Sequence, residues 1–424
     1  MSSRRLALRG ILALAGSALT AMASPAQASD PLNSSDKPTK GEPADASVSR
    51  NDFNIFPVAG GTTDIGIGGG YFAGLAHLRK GYDPYVWNLE SAGFVTFKYD
   101  DKKVSLPYQD VYLQLTVPRI LDAPMRLELK AEYSAEATLM YTGLGDHSPP
   151  QPSGVPTNLT EYGRTHPEVV AAMRWKFIDH LSGLVGLSYV QNWLQVASGS
   201  KLAEDLATGS PEVKALLGTT GPHAVASLVS GVEWDNRESE VSTHSGSLHT
   251  FNVKLSPGGT AAFPYRYGHA TLISRVFIPV WRPRVTLAAR VVGDVYFGDT
   301  PFYELARFDD TYLGGVNGIR GVPAERYYGK AKVFGNLEMR TEIVSFKALG
   351  KPMLFGFVAF LDGGRVWADL SPHPELDGTG IGLKYGVGGG LRLLSGSAFV
   401  LRADLAWSPD ASPVGAYLAV GEMF

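Results

Sequence analysis

The chain contains no cysteine in its 424 residues. Thiolate metal sites and a disulfide scaffold are therefore excluded, and the absence suits an oxidising compartment, where stray thiols are a liability. Past the N-terminus there is no apolar run approaching the ~20 residues that a membrane-spanning helix needs. The longest candidate, Leu354 to Leu361, is only strand length. Net charge is small as well: 38 basic against 41 acidic residues, with no basic stripe of the kind a nucleic acid would require. The nine histidines show no metal-ligand spacing, and neither HExxH nor GxSxG occurs. The glycine runs Gly66–Gly70 and Gly386–Gly390 lack the third spaced glycine of a dinucleotide loop, since Tyr71 and Leu391 stand there. These absences point away from an enzyme, a metal site or a cofactor.

What is present begins with an export signal. Arg4, Arg5 and Arg9 precede an apolar stretch from Gly10 to Ala23, and Ala26-Gln27-Ala28 offers a small-x-small cleavage site. Residues 1–28 are thus expected to be a signal peptide. Residues 29–51, rich in Ser, Pro, Asp, Lys and Ala, are expected to be a disordered periplasmic leader. Residues 52–424 alternate.

From Met125 to Ala137 the odd positions are apolar or small, while Arg126, Glu128, Lys130, Glu132 and Glu136 fall between them. From Val285 to Phe297 an apolar odd face alternates with Thr286, Arg290 and Asp294. From Ser397 to Trp407 an apolar odd face opposes Arg402 and Asp404. Period two with one charged face means strands covered by lipid or core on one side only. Several segments exceed ten residues, the length of a spanning strand rather than of a soluble one, typically about five or six. Their polar faces carry charges such as Lys384 and Arg392, which a closed sandwich core would not accept unpaired. A water-filled lumen would. Glycine, at 49 residues, and 19 tyrosines suit the same environment.

The expected fold is all-β: a transmembrane antiparallel β-barrel of about sixteen strands, an even number as bacterial outer-membrane barrels require. The first eight strands are read near 53–59, 64–77, 86–99, 103–118, 124–138, 167–177, 182–194 and 222–235. The rest fall near 247–258, 264–278, 284–297, 330–346, 353–367, 380–394, 397–408 and 414–424. Loop length checks the count. The long connections 139–166, 195–221 and 298–329 follow odd strands, as surface loops should, while those around Asp179, Arg282 and Ser395 are short and follow even ones. Asn236 to Gly246 is the exception.

Parity also orients two acids. Glu338 shares its face with Lys332, Asn336 and Arg340, and Asp362 opposes Phe355, Phe357 and Leu361, so both should point into the lumen. Arg320 lies among glycines in the long loop 298–329. If that loop folds back into the lumen, Arg320 meets both acids, and its planar fork suits two carboxylates. Gly318 and Gly321 would permit the tight tip. The alternative is a solvated Arg320, with Glu338 paired to Arg340 or Lys332.

Several motifs, in order along the chain, resemble the BamA/TamA superfamily of outer-membrane assembly and secretion proteins. Tyr141-Thr142-Gly143-Leu144-Gly145-Asp146 is similar to its glycine-rich motif after the fifth strand. Gly314-Gly315 with Ile319-Arg320-Gly321-Val322 resembles its sixth-loop signature. Asn336-Leu337-Glu338 and Phe360 to Trp367 resemble its motifs on the next two strands. The ending Gly421-Glu422-Met423-Phe424 is similar to a terminal-strand signal, with Phe424, Val420 and Leu418 expected on one face. Val322 departs from the pattern, where an aromatic is usual. A further departure is that Ser29 to Arg50 is too short for a POTRA module.

The resemblance implies an outer-membrane protein that assembles, inserts or translocates proteins or lipids. A lock of Arg320 and Gly321 against Glu338 and Asp362 would stiffen one wall. A weak seam between the terminal strands is also implied, with a short first strand flanked by Gly60 and Gly61. Implied partners are outer-membrane lipids and other outer-membrane or periplasmic proteins, including POTRA-bearing ones acting in trans. The competing reading is a passive channel or surface antigen built on the same barrel.

Overall fold

The computed structural model describes residues 49–424 apart from 80–81, 83–84, 101–102, 121–122, 124, 150–158, 240–241, 282–283, 309–310, 349–350, 396–398 and 411–413. The expected signal peptide and the part of the expected leader before residue 49 lie outside these residues.

Sixteen long strands follow one another around the wall. The first eight are β1 (Arg50–Thr62), β2 (Gly66–Leu78), β3 (Trp87–Asp100), β4 (Tyr108–Val117), β5 (Met125–Met140), β6 (Glu168–Ile178), β7 (Leu181–Val196) and β8 (His223–Asp235). The second eight are β9 (Gly246–Pro257), β10 (Arg266–Trp281), β11 (Val285–Gly298), β12 (Ala331–Ala348), β13 (Lys351–Trp367), β14 (Lys384–Ser395), β15 (Phe399–Trp407) and β16 (Gly415–Val420). Each pairs antiparallel with its neighbour, and β1 pairs with β16, which closes the barrel. Closure is the condition for a β-structure to cross a bilayer, and here it rests on two register pairs, Gly61↔Leu418 and Thr62↔Tyr417.

The barrel is polar inside and apolar outside. On β4, Asp110, Gln114 and Thr116 are buried while Val111 and Leu113 are exposed. On β15, Arg402 is 1% exposed and Leu405 62%. A soluble protein would reverse that assignment, because exposed leucine costs free energy in water and buried arginine costs more. Here lipid covers the leucines, and the charges pair across the lumen.

Five details differ from the sequence reading. Glu161–Thr165, inside the expected loop 139–166, is already a strand paired with β5 and β7 ahead of β6. β1 is not short: it begins at Arg50, two residues inside the expected leader, and runs 13 residues. The fourth strand divides at Leu106-Pro107, so that Lys103–Ser105 extends β3 as a hairpin before β4 begins. The fourteenth begins at Lys384, after a loop that exposes Ile381 and Leu383. β16 stops at Val420. Leu418 faces outward, but Phe424 does not join it: its ring lies against Phe277, Arg290 and Arg340, all inner-face residues.

Two helices in the β7–β8 connection, α1 (Lys201–Thr208) and α2 (Pro211–Leu217), give no strand signal in sequence. Ser200 and Ser210 cap them by accepting from the Ala203 and Val213 amides. Leu202 and Leu217 pack with Tyr141, Tyr162, Phe302 and Tyr328, building an apolar roof over the surface end of the barrel.

Candidate functional site

The connection between β11 and β12 carries a short hairpin, Arg307–Phe308 against Thr311–Tyr312, and a tight tip in which Gly314 bridges to Ile319. The Ile319 amide donates to the Leu313 carbonyl at 2.5 Å and the Gly315 amide to the Val322 carbonyl at 2.7 Å, so the tip is a closed loop on its own backbone. Gly321, at φ +93°, occupies a conformation that L side chains rarely adopt. Val322, in place of the usual aromatic, is buried against Phe308, Ile319 and Phe334.

Arg320 is fully buried and meets the wall from the tip. Its Nε donates to Asp362 Oδ2 at 2.8 Å, and Nη2 donates to Oδ1 of the same carboxylate at 3.0 Å. Its Nη1 donates to Glu338 Oε1 at 2.6 Å and to Asp404 Oδ2 at 3.3 Å. The backbone amide adds a bond to Asp362 Oδ2 at 3.1 Å. The guanidinium plane also stacks on Phe360, with Cζ 3.4 Å from the ring centroid. A planar group with donors along two edges is the one side chain able to serve three carboxylates and an aromatic face together. Burial works against the charge on Arg320, but Glu338, Asp362 and Asp404 outweigh it and hold the guanidinium's pKa above its ordinary value.

Register explains the meeting. Glu338 on β12 opposes Phe360 on β13, and Asp362 two residues on opposes Gly386 of β14. A Cβ on Gly386 would lie 1.9 Å from the Arg320 carbonyl, so only glycine lets the loop backbone approach this closely. Gly390 in turn opposes Asp404 on β15. One loop residue thus touches β12, β13 and β15 and is shaped around β14 between them.

Glu338 divides its oxygens. Oε1 accepts from Arg320, and Oε2 accepts from Arg340 Nε at 2.9 Å. Both partners weighed from the sequence, Arg320 and Arg340, are therefore bound to it, whereas Lys332 pairs with Asp294 at 3.0 Å. Gly321 donates its amide to the Tyr417 hydroxyl on β16 at 2.9 Å.

Four residues of this cluster escape a single-sequence reading of the site. Asp404 takes the third position on Arg320 and also binds Arg392 at 2.5 Å. Arg402 donates to Asn317 Oδ1 at 2.9 Å and to the Val316 carbonyl at 3.3 Å. Arg290 donates to the Asn317 carbonyl, and Asn336 donates to the Gly318 carbonyl at 2.9 Å. Three successive carbonyls at the tip therefore take donors from the inner wall. Arg290, Arg392, Arg402 and Asp404 had all marked the polar faces of their strands. Only cross-strand register says which of them reach the tip.

The loop base is tied to the opposite side of the barrel. Arg307 pairs with Glu136 of β5 at 3.2 Å, and Arg326 donates to Thr142 Oγ1 at 2.6 Å and Ser148 Oγ at 2.7 Å. Glu325 is buried at a positive φ of 56° and accepts from the Met140 amide at 3.3 Å. Burial and the nearby Glu136 push its carboxyl up to about 8. The Gly145 amide, from the glycine-rich motif after β5, donates to the Tyr328 carbonyl at 2.8 Å.

Comparison with known proteins agrees with this architecture. The Omp85 superfamily domain matches residues 103–418. No curated protein sequence matches. Among solved structures, BamA from Haemophilus ducreyi lacking POTRA domains 1–3 superposes with a TM-score of 0.61 at 15% identity, over 88% of this chain and 70% of that one. CdiB from Escherichia coli superposes with a TM-score of 0.54 at 13% identity, over 86% of this chain and 62% of that one. At these identities the likeness is one of fold.

Proposed function

The chain belongs to the Omp85 superfamily and is a bacterial outer-membrane barrel, and from that premise we propose that it inserts or translocates proteins, or moves lipids, at the outer membrane. The observation that carries this reading is the seam. Among the described residues, β1 and β16 share only the register pairs Gly61↔Leu418 and Thr62↔Tyr417, with one further bond from the Thr63 amide to the Ala416 carbonyl at 3.2 Å. Below Gly61, the described pairing of β1 is to β2 alone. Backbone N–H and C=O groups left without partners at bilayer depth cost several kcal/mol each. An extended strand from another polypeptide satisfies them by strand addition. Pro57, on this stretch, has no N–H to donate and weakens self-closure further.

The loop cluster supplies the other half of the mechanism. By holding β12, β13 and β15 to one buried arginine, it lets the seam yield without the rest of the wall following. The reading involves no catalytic chemistry. Its partners are outer-membrane lipids and client polypeptides, with POTRA-bearing proteins supplied in trans.

Depletion in the host tests it. The expected result is a broad fall in other outer-membrane barrels or a shift in surface-exposed lipids. Unchanged barrels and lipids, together with steady ion conductance from the purified protein in planar bilayers, would move the assignment to a passive channel. The packed roof of Tyr141, Leu202, Phe302 and Tyr328 leads us to expect no steady conductance.

A further inference from the structure

We propose that the outer face of the barrel carries a separate chemical site, in which Ser49, His77 and Asn51 are the nucleophile, base and orienting group for cleaving acyl esters of glycerophospholipids in the periplasmic leaflet. Such an activity is independent of client assembly, and either can fail with the other intact.

The three side chains meet by register. β1 and β2 pair antiparallel with Asn51 opposite His77. Ser49, two residues before Asn51, shares its face. Ser49 Oγ lies 3.0 Å from His77 Nε2, and His77 Nδ1 lies 2.7 Å from Asn51 Oδ1. A carboxamide oxygen only accepts, so Nδ1 carries the ring proton and donates it. Nε2 is left with its lone pair, and the Ser49 hydroxyl donates to it. Nucleophile, base and orienter thus stand in the order that acyl transfer needs. Trp87, opposite His77 on β3, stacks on the imidazole with centroids 5.7 Å apart and planes 11° apart, which fixes the ring.

The main chain supplies a donor for the oxyanion. The His77 carbonyl accepts from the Val86 amide at 2.8 Å, so His77 spends its main-chain bonds on the β3 side. Asn51 and His77 are therefore a non-hydrogen-bonded pair, and the Asn51 amide points away from β2. On that edge β1 has no strand partner below Gly61 among the described residues. An N–H fixed there, beside the nucleophile, stabilises negative charge developing on an ester oxygen.

Position selects the substrate. Ser49 and Asn51 are exposed and continue the lipid-facing row of Phe53 and Ile55. Phe53 and Leu75 are paired one step nearer the middle of the bilayer. β1 and β2 join at the surface end, so the site lies at the periplasmic end of the wall, with Trp87 at the level where amphipathic rings favour the interface. Phospholipid ester groups lie at this boundary between headgroup and acyl chain. Arg79, exposed two residues past His77, is roughly 7 Å farther along the strand, in the direction of the lipid phosphodiester that its guanidinium suits.

In the reaction, Ser49 Oγ attacks the ester carbonyl carbon as its proton passes to His77 Nε2. The bond to the glycerol oxygen breaks, and His77 returns the proton to that oxygen, releasing a lysolipid. Water then attacks the acyl-Ser49 ester and gives a proton to His77. The bond to Oγ breaks, the same proton restores the Ser49 hydroxyl, and a fatty acid leaves.

The full-length protein, reconstituted in vesicles of phosphatidylethanolamine and phosphatidylglycerol, provides the test, with heat modifiability on semi-native gels confirming that each variant is folded. A long-chain alkyl fluorophosphonate should label Ser49, located by mass spectrometry, and the vesicles should accumulate lysolipid and fatty acid. Ser49→Ala should abolish both signals. His77→Gln should slow labelling about a hundredfold or more. Asn51→Ala should slow labelling and lysolipid release, and Asn51→Asp should restore them, a rescue that a purely structural role would not give. Absence of label on Ser49 in the folded parent would overturn the proposal. So would labelling that ignores His77→Gln, or lysolipid release that survives Ser49→Ala.

Discussion

The wall under Arg320 and the seam between β16 and β1 are built on opposite terms. β12 and β13 pair from Ala331↔Trp367 to Ala348↔Lys351, with one irregularity at Glu342/Val344, and three carboxylates on this side of the barrel converge on one buried guanidinium. β16 meets β1 at two residue pairs. Charge buried in a lumen is costly unless every partner is present, so the Arg320 wall tolerates little rearrangement. Missing backbone pairs, by contrast, leave a boundary that accepts new partners. One closed sheet is thus stiff on one side and yielding on the other without a hinge.

Arg320→Ala should weaken the stiff wall most. It leaves Glu338, Asp362 and Asp404 buried with a partner removed, a change worth about 3–5 kcal/mol. We expect the barrel to lose heat resistance on semi-native gels. Unchanged resistance would show that the contacts add nothing to the wall.

Asp404→Asn comes next. It keeps the shape but weakens bonds from Arg320 and Arg392, each at a buried site. The cost should be about 1–3 kcal/mol, visible as a lowered urea midpoint, and smaller than that of Arg320→Ala. An equal or larger loss would mean that Arg392, rather than Arg320, organises the cluster.

pH sharpens the comparison at the base of the loop. With its carboxyl raised to about 8 from an ordinary 4.5, Glu325 binds a proton more tightly when the loop is docked. Its contribution is fully present below the unfolded value and is lost as pH rises through 8. The groups facing it are Glu136, Arg307, Tyr312 and the Met140 amide. Protease protection of the loop should therefore fall between about pH 4.5 and 8 and level off above that, and Glu325→Gln should flatten that profile. A profile that is flat in the parent would remove Glu325 from the account.

The smallest effect is expected from Tyr417→Phe. It deletes the one hydroxyl joining β16 to the loop tip and leaves the Gly321 amide without its acceptor, about 1 kcal/mol. Lower heat resistance without any rise in seam opening would show that this bond serves the tip alone.

Much of this was legible in the sequence because a barrel's two faces have different chemistry. Period two oriented Glu338 and Asp362 and placed Arg402 and Asp404 on a polar face, and loop-length parity held except after the eighth strand. What parity does not carry is register. Asp404 and Arg320 are far apart in sequence and meet only because four strands stagger as they do. The inward turn of Phe424 was misread for another reason. Alternation assumes that the strand continues, and the φ of Gly421 ends it. The helices α1 and α2 are short segments of a surface loop, marked locally by the capping Ser200 and Ser210, by Pro211 and by Gly209 and Gly218, while the packing of their buried leucines on aromatic residues from elsewhere in the chain has no local signal.

Strand length has a consequence for the lipid. β12 has 18 residues and β16 has 6. At about 3.3 Å per residue and a tilt near 45°, these reach roughly 42 Å and 14 Å along the bilayer normal. A hydrocarbon layer of about 30 Å is spanned with ease by the first and by less than half by the second. Acyl chains are therefore expected to tilt or shorten beside β16, where the sheet is least complete.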